Sequence, residues 1–116
     1  MSLTPMQVEK RLLDLSKEID ESHKELMAAE QTFHVAKASY EIAMAHSRMK
    51  KSHPDFKLTA VQRDDEALID NAEAHMNLSI AEATVKAARA NVQRIRTQVD
   101  IARSISVSVR ASMEIV

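Results

Sequence analysis

LLDLSKEIDESHKELMAAEQTFHVAKASYEIAMAHS, from Leu12 to Ser47, is the stretch whose reading decides the fold. With Leu12 at heptad position a, the a series runs Leu12, Ile19, Leu26, Phe33, Tyr40, Ser47. The d series, begun one heptad earlier, runs Val8, Leu15, Ser22, Ala29, Ala36, Ala43. Neither series contains a charge, although Asp, Glu, Lys and Arg crowd the positions between them. Uncharged residues at alternating spacings of three and four form one stripe along an α-helix, and a stripe sustained over this many heptads implies a packed partner helix.

The repeat is interrupted at Ser52-His53-Pro54-Asp55 and then resumes. The second a series is Asn71, Leu78, Val85, Val92, Val99, Ser106, Met113, and the second d series is Ala67, Ala74, Ala81, Ala88, Ile95, Ala102, Val109. The fold class expected is therefore all-α: a single domain over residues 1–116, built as a long antiparallel two-helix hairpin or coiled coil. Helix one should span 5–51, a loop 52–58, and helix two 60–112.

Local signals place these boundaries. Thr4 and Gln7 make a T-x-x-Q capping box, Pro5 takes the first helical position, and Leu3 is placed to staple onto Val8. Arg48, Lys50 and Lys51 suit the negative end of the helix dipole, and Pro54 forbids continuation. Thr59 and Gln62 repeat the start signal. At 1.5 Å per residue helix one would be about 70 Å long.

A short connection makes consecutive helices antiparallel neighbours, and the charges agree. Glu9, Asp14, Glu18, Asp20, Glu21, Glu25 and Glu30 would lie beside Lys86, Arg89, Arg94, Arg96, Arg103 and Arg110. Near the loop the signs exchange, with Lys37, Arg48, Lys50 and Lys51 beside Asp64, Asp65, Glu66, Asp70 and Glu73. In an antiparallel coiled coil an a residue shares a layer with a d residue of its partner, so layer numbers have a constant sum. A sum of about 114 sets Phe33 against Ala81 and Tyr40 against Ala74, large facing small; a sum of about 107 preserves the pattern equally well.

Two features fall outside the seam. Ala28, Val35, Ile42 and Met49 on helix one, and Ile69, Met76, Ala83 and Ala90 on helix two, form surplus apolar stripes at similar heights. Val35, Ile42, Met49, Ile69 and Met76 are therefore the candidate interface of a larger helical oligomer. Ser104-Ile105-Ser106-Val107-Ser108-Val109 alternates as a strand does, yet it also continues the heptad. Helix is favoured there, with fraying after Ala111.

Composition excludes much chemistry. The chain has 116 residues and a formal net charge of -1, so nothing draws the whole molecule to nucleic acid or an anionic membrane. Gly and Cys are absent, which removes Gly-rich phosphate loops, disulfides and thiolate ligands. No apolar run approaches a membrane span and Met1 to Lys10 lacks a signal-peptide core, so a cytoplasmic protein without membrane contact is expected. Glu30 with His34, and Asp20-Glu21-Ser22-His23, have helical spacings suited to a metal. A di-iron bundle, however, needs paired Glu-x-x-His motifs at inward positions, so neither metal nor cofactor is expected. No nucleophile with base and oxyanion donors is discernible, and the chain reads as a non-enzyme.

Two basic surfaces are candidates for nucleic acid. The first gathers Arg48, Lys50, Lys51, Phe56, Lys57 and Arg63 around the loop, where Phe56 either stacks on a base or plugs the hairpin end. The second is the helix-two stripe Lys86, Arg89, Arg94, Arg96, Arg103, continued by Arg110.

The succession Ala36-Lys37-Ala38-Ser39-Tyr40-Glu41, Val61-Gln62-Arg63-Asp64-Asp65, Gln98-Val99-Asp100-Ile101-Ala102-Arg103-Ser104 and Ser108-Val109-Arg110-Ala111 resembles small helical proteins of phages and prophages. In helical layout some of these resemble the UvsY-like recombination mediators. The resemblance implies an oligomeric accessory protein that binds single-stranded DNA and a recombinase, in the host cytoplasm if phage-encoded. The alternative is a structural or adaptor coiled coil, for virion assembly or inhibition of a host protein, without nucleic-acid contact.

Overall fold

A computed structural model describes residues 3–114. It contains helix α1 (Pro5–Lys51), a 3-10 turn over Pro54–Phe56, helix α2 (Ala60–Asp70) and helix α3 (Ala72–Glu114). No strand occurs among the described residues. The chain divides into two compact units: a terminal unit of Met1–Met27 with Ala87–Val116, and a turn unit of Ala28–Lys86.

Both expected capping boxes form. The Thr4 amide donates to Gln7 Oε1 at 3.0 Å while the Gln7 amide donates to Thr4 Oγ1 at 3.2 Å. Thr59 and Gln62 exchange the same pair at 2.9 and 3.2 Å, which satisfies amide donors that a helix start otherwise leaves open. Of the seam positions read from the heptads, Met113 alone is exposed; every other is buried or half-buried. The alternating segment 104–109 is helical. A lone strand there would leave its backbone donors and acceptors unpaired, whereas a helix satisfies them within the segment.

The terminal unit holds the hydrophobic core. Leu15, Ile95 and Ala102 form its buried cluster, with Leu12, Ile19 and Val99 packed against it. The cluster contains both members of three layers, Leu12 with Ala102, Leu15 with Val99 and Ile19 with Ile95, which is the register of sum about 114. The other register would place Ala102 opposite Pro5 and outside any such cluster. Ser22, also buried, donates its hydroxyl to the Ile19 carbonyl at 2.8 Å and so leaves no orphaned group in the seam.

The turn unit buries Ala where the terminal unit buries Leu and Ile, with Phe33, Tyr40 and Leu78 half-buried in its seam. Its buried apolar residues are Met44, Ala67, Ala81 and Val85. The Tyr40 and His75 rings meet edge to face at 5.5 Å, and Asn71 reaches Ser47, both consistent with the register of the terminal unit. The 3-10 turn ends on Lys57 at φ 46° and ψ 40°, a left-handed position taken by a residue with a Cβ.

Helix two is not one helix. It breaks at Asn71, whose φ of -113° and ψ of 26° leave the helical region while its amide is shared between the Ala67 and Leu68 carbonyls at 3.1 and 3.2 Å. The side chain supplies the cause. Asn71 Nδ2 donates to Ser47 Oγ and to the Ala67 carbonyl, both at 2.8 Å, and lies 3.9 Å from Met44 Sδ. A short amide that bonds the preceding turn competes with regular helix geometry, and here it also bridges to α1.

Candidate interaction surfaces

Two basic residues of the turn unit, Arg48 and Lys51, are engaged by acids of α2. Arg48 Nε donates to Asp64 Oδ1 at 2.8 Å. Lys51, with only 19% of its side chain exposed, lies 3.3 Å from Glu66 and 3.6 Å from Asp70, and its ammonium sits 5.4 Å from the Phe56 ring centroid. Both cations lie in the last turn of α1, where the helix dipole favours positive charge. Phe56 remains 43% exposed and Leu58 is the half-buried apolar residue of the loop, so the hairpin end is not plugged by the aromatic ring. Lys50 and Lys57 are exposed, Arg63 is half-buried, and none of the three forms an ion pair among the described residues. The cluster expected from sequence is thus two engaged cations, a ring held by one of them, and three unpaired neighbours.

Along α3 the stripe divides by position. Lys86, in the turn unit, pairs with Glu82 at 3.6 Å. In the terminal unit Arg94 donates to Asn91 Oδ1 at 2.8 Å and lines a small polar groove with Arg11, Glu18 and Gln98. Arg89, Arg96, Arg103 and Arg110 each follow a d residue of the seam, which aligns them on one edge of the helix, about 10.5 Å apart. Arg89 is engaged, while Arg96, Arg103 and Arg110 are exposed and form no ion pair among the described residues.

The candidate oligomer residues are all open to solvent: Val35 at 62%, Ile42 at 59%, Met49 at 74%, Ile69 at 73% and Met76 at 63%. Their heptad positions separate them into two stripes rather than one patch. Val35, Ile42 and Met49 are at c on α1, and Ile69 and Met76 at f on α2 and α3, each on the side of its helix away from the seam. A further apolar groove of about 670 Å³ in the terminal unit is lined by Leu3 and Pro5 with Ile101, Ile105, Val109 and Met113.

Nothing in the geometry assembles a metal centre: no group of three or more His, Asp or Glu side chains converges among the described residues. Glu30 is engaged by a partner, and the His34 ring packs on Phe33 at 5.6 Å between centroids. Also among the described residues, no helix is long and apolar enough to cross a membrane. The polar layer of Asn71, Ser47 and Met44 is absent from the expectations drawn from sequence, although an Asn at a seam position was its visible signal.

Compared with protein-family models, with curated proteins and with solved structures, the chain has no match.

Proposed function

We propose that this chain is a non-enzymatic, phage-type accessory protein that acts in the cytoplasm through self-association of a helical hairpin. One observation carries the reading. From Ala28 to Met49 the c and f positions of α1, on the side away from its seam, carry no charge, and Val35, Ile42 and Met49 stand exposed among them, with Glu41 and Arg48 on the flanking b row. Exposed apolar residues scattered singly are ordinary, but a heptad-spaced row of them on a long helix is a helix-docking surface.

Light scattering at micromolar concentration tests it. Wild type should exceed the monomer mass, and replacing Ile42 and Ile69 together with Glu should lower both the mass and the apparent stability, because folding and assembly are linked by mass action. A well-folded wild-type monomer would sink the reading.

A second reading is favoured by Arg96, Arg103 and Arg110: a mediator that binds single-stranded DNA and a recombinase. Unpaired cations repeated along one helix edge suit phosphates better than the loop cluster does, since Arg48 and Lys51 already have acidic partners. Anisotropy of a labelled unstructured oligonucleotide across a salt series decides it. Charge reversal at Arg96 and Arg103 should reduce the salt slope by about 0.7 per lost contact. No binding at low salt leaves the adaptor form of the first reading.

A further inference from the structure

The outward face of α1 changes character within one helix. At positions c and f its first heptads present Lys10, Asp14, Lys17, Glu21 and Lys24. From Ala28 onward the same positions present Gln31, Val35, Ala38, Ile42, Ala45 and Met49, all exposed and none charged. Positions c and f alternate at spacings of three and four, so this stretch has the spacing of a second coiled-coil seam on the back of the first.

We infer that the occupant of this seam is a second copy of the same stretch, packed antiparallel about a two-fold axis beside Tyr40. The inference rests on the self-association reading and specifies its geometry. The argument is self-complementarity. In an antiparallel pair each c residue shares a layer with an f residue of the mate, as a does with d in the first seam. Setting the axis beside Tyr40 places Met49 against Gln31 of the second copy, Ile42 against Ala38 and Val35 against Ala45. Every layer then joins one larger and one smaller side chain, and the two-fold repeats each layer. Shifting the pairing by one heptad toward the N-terminus sets Met49 against Lys24 and buries a charge. The uncharged c and f rows give an unrelated helix little to orient by, whereas a two-fold mate supplies Ala opposite both Val35 and Ile42 and the uncharged Gln31 opposite Met49.

The overlap has a definite end. It covers residues 28–51, and the charged positions from Lys10 to Lys24 fall outside it, which accounts for the change at Ala28. Such a strip is about 36 Å long and, at a helix width of about 10 Å, covers about 360 Å² per copy. That is under half of the roughly 800 Å² per partner in a stable interface, so the dimer dissociates on dilution. Glu41 borders the strip and faces its own symmetry mate, the one like-charge contact in this register. Added salt and Glu41→Gln should therefore both tighten the dimer.

The absence of Cys allows a clean test. Single-cysteine chains Ser39→Cys, Met76→Cys and Lys17→Cys, each checked for helix content, are treated with a short bis-maleimide over a range of protein concentrations. Ser39 borders the strip close to its mate, whereas Met76 lies on the outward face of α3 and Lys17 outside the overlap. Ser39→Cys should give a covalent dimer whose yield rises with concentration and is lost when Ile42→Glu is added, while the other two remain monomeric. Cross-linking of Met76→Cys in place of Ser39→Cys overturns the two-fold α1 pairing and leaves self-association standing. A chain that scatters as a monomer at every concentration overturns both.

Discussion

The terminal unit and the turn unit use one heptad grammar to opposite ends. In the terminal unit large residues fill the seam: Leu15 is fully buried, Ile95 and Val92 nearly so, and the c and f positions of α1 are charged, although Leu13, Met27 and Ile101 stay exposed off the seam. In the turn unit the buried seam is furnished mainly by Ala67, Ala81 and Val85, while Val35, Ile42 and Met49 point outward. Apolar burial stabilises in proportion to area, so the seam contributes more per layer in the first arrangement, while in the second the heptad-spaced apolar row of α1 is left exposed. The difference teaches that the seam alone does not say where a helical protein spends its large side chains. The outward face of the same helix has to be read beside it.

The largest effect expected from breaking this contrast is at Leu15. Leu15→Ala should destabilise by about 2–5 kcal/mol, since the site is enclosed on all sides. Leu78→Ala, at a half-buried seam position of the turn unit, should cost clearly less in a urea titration. Equal losses would mean that the two units share one kind of core.

Overpacking sharpens the contrast from the other side. Ala81 is 6% exposed at d, in the layer of Phe33, and Ala81→Leu should cost about 1–3 kcal/mol. Ala90, exposed and off the seam, should accept Leu with little change. Coincident urea midpoints for the two variants would show that the register of sum about 114 is wrong.

Much of this was legible in the heptads because a seam is a pattern of exclusion. Charges are absent wherever burial would strand them, and Met113 is the one seam position that escapes burial. Both helix starts were legible because a capping box is local chemistry. The break at Asn71 was not, since neither Gly nor Pro marks it. Its cause is an amide whose partners, Ser47 and Met44, lie more than twenty residues earlier in the chain. Burial of Met44 beside the seam follows from the same contact, a flexible thioether filling space next to a small polar layer. In the loop cluster the charge pattern set Arg48 and Lys51 beside the acids they reach, Asp64, Glu66 and Asp70, but gave no sign that Lys50 would form no ion pair, because which acid each side chain reaches depends on how the hairpin end closes.

Asn71→Ala is the smallest of these perturbations and isolates that polar layer. Ala gains helix propensity while Ser47 loses its donor, so opposing terms should leave the net change within about 1 kcal/mol. The informative readout is amide hydrogen exchange at residues 71–75, which should slow as the helix closes across the break. Unchanged exchange would show that the break does not depend on the side chain.

The claim that the turn unit is completed by association, and the terminal unit by its own core, is tested most directly by amide chemical shifts recorded from micromolar to millimolar concentration. Concentration-dependent shifts should cluster on Ala28 to Lys51 and be largest near Val35, Ile42 and Met49, while Leu12 to Ile19 and Val92 to Ala102 stay fixed. Shifts confined to the terminal unit, or a spectrum that does not change with concentration, would contradict it.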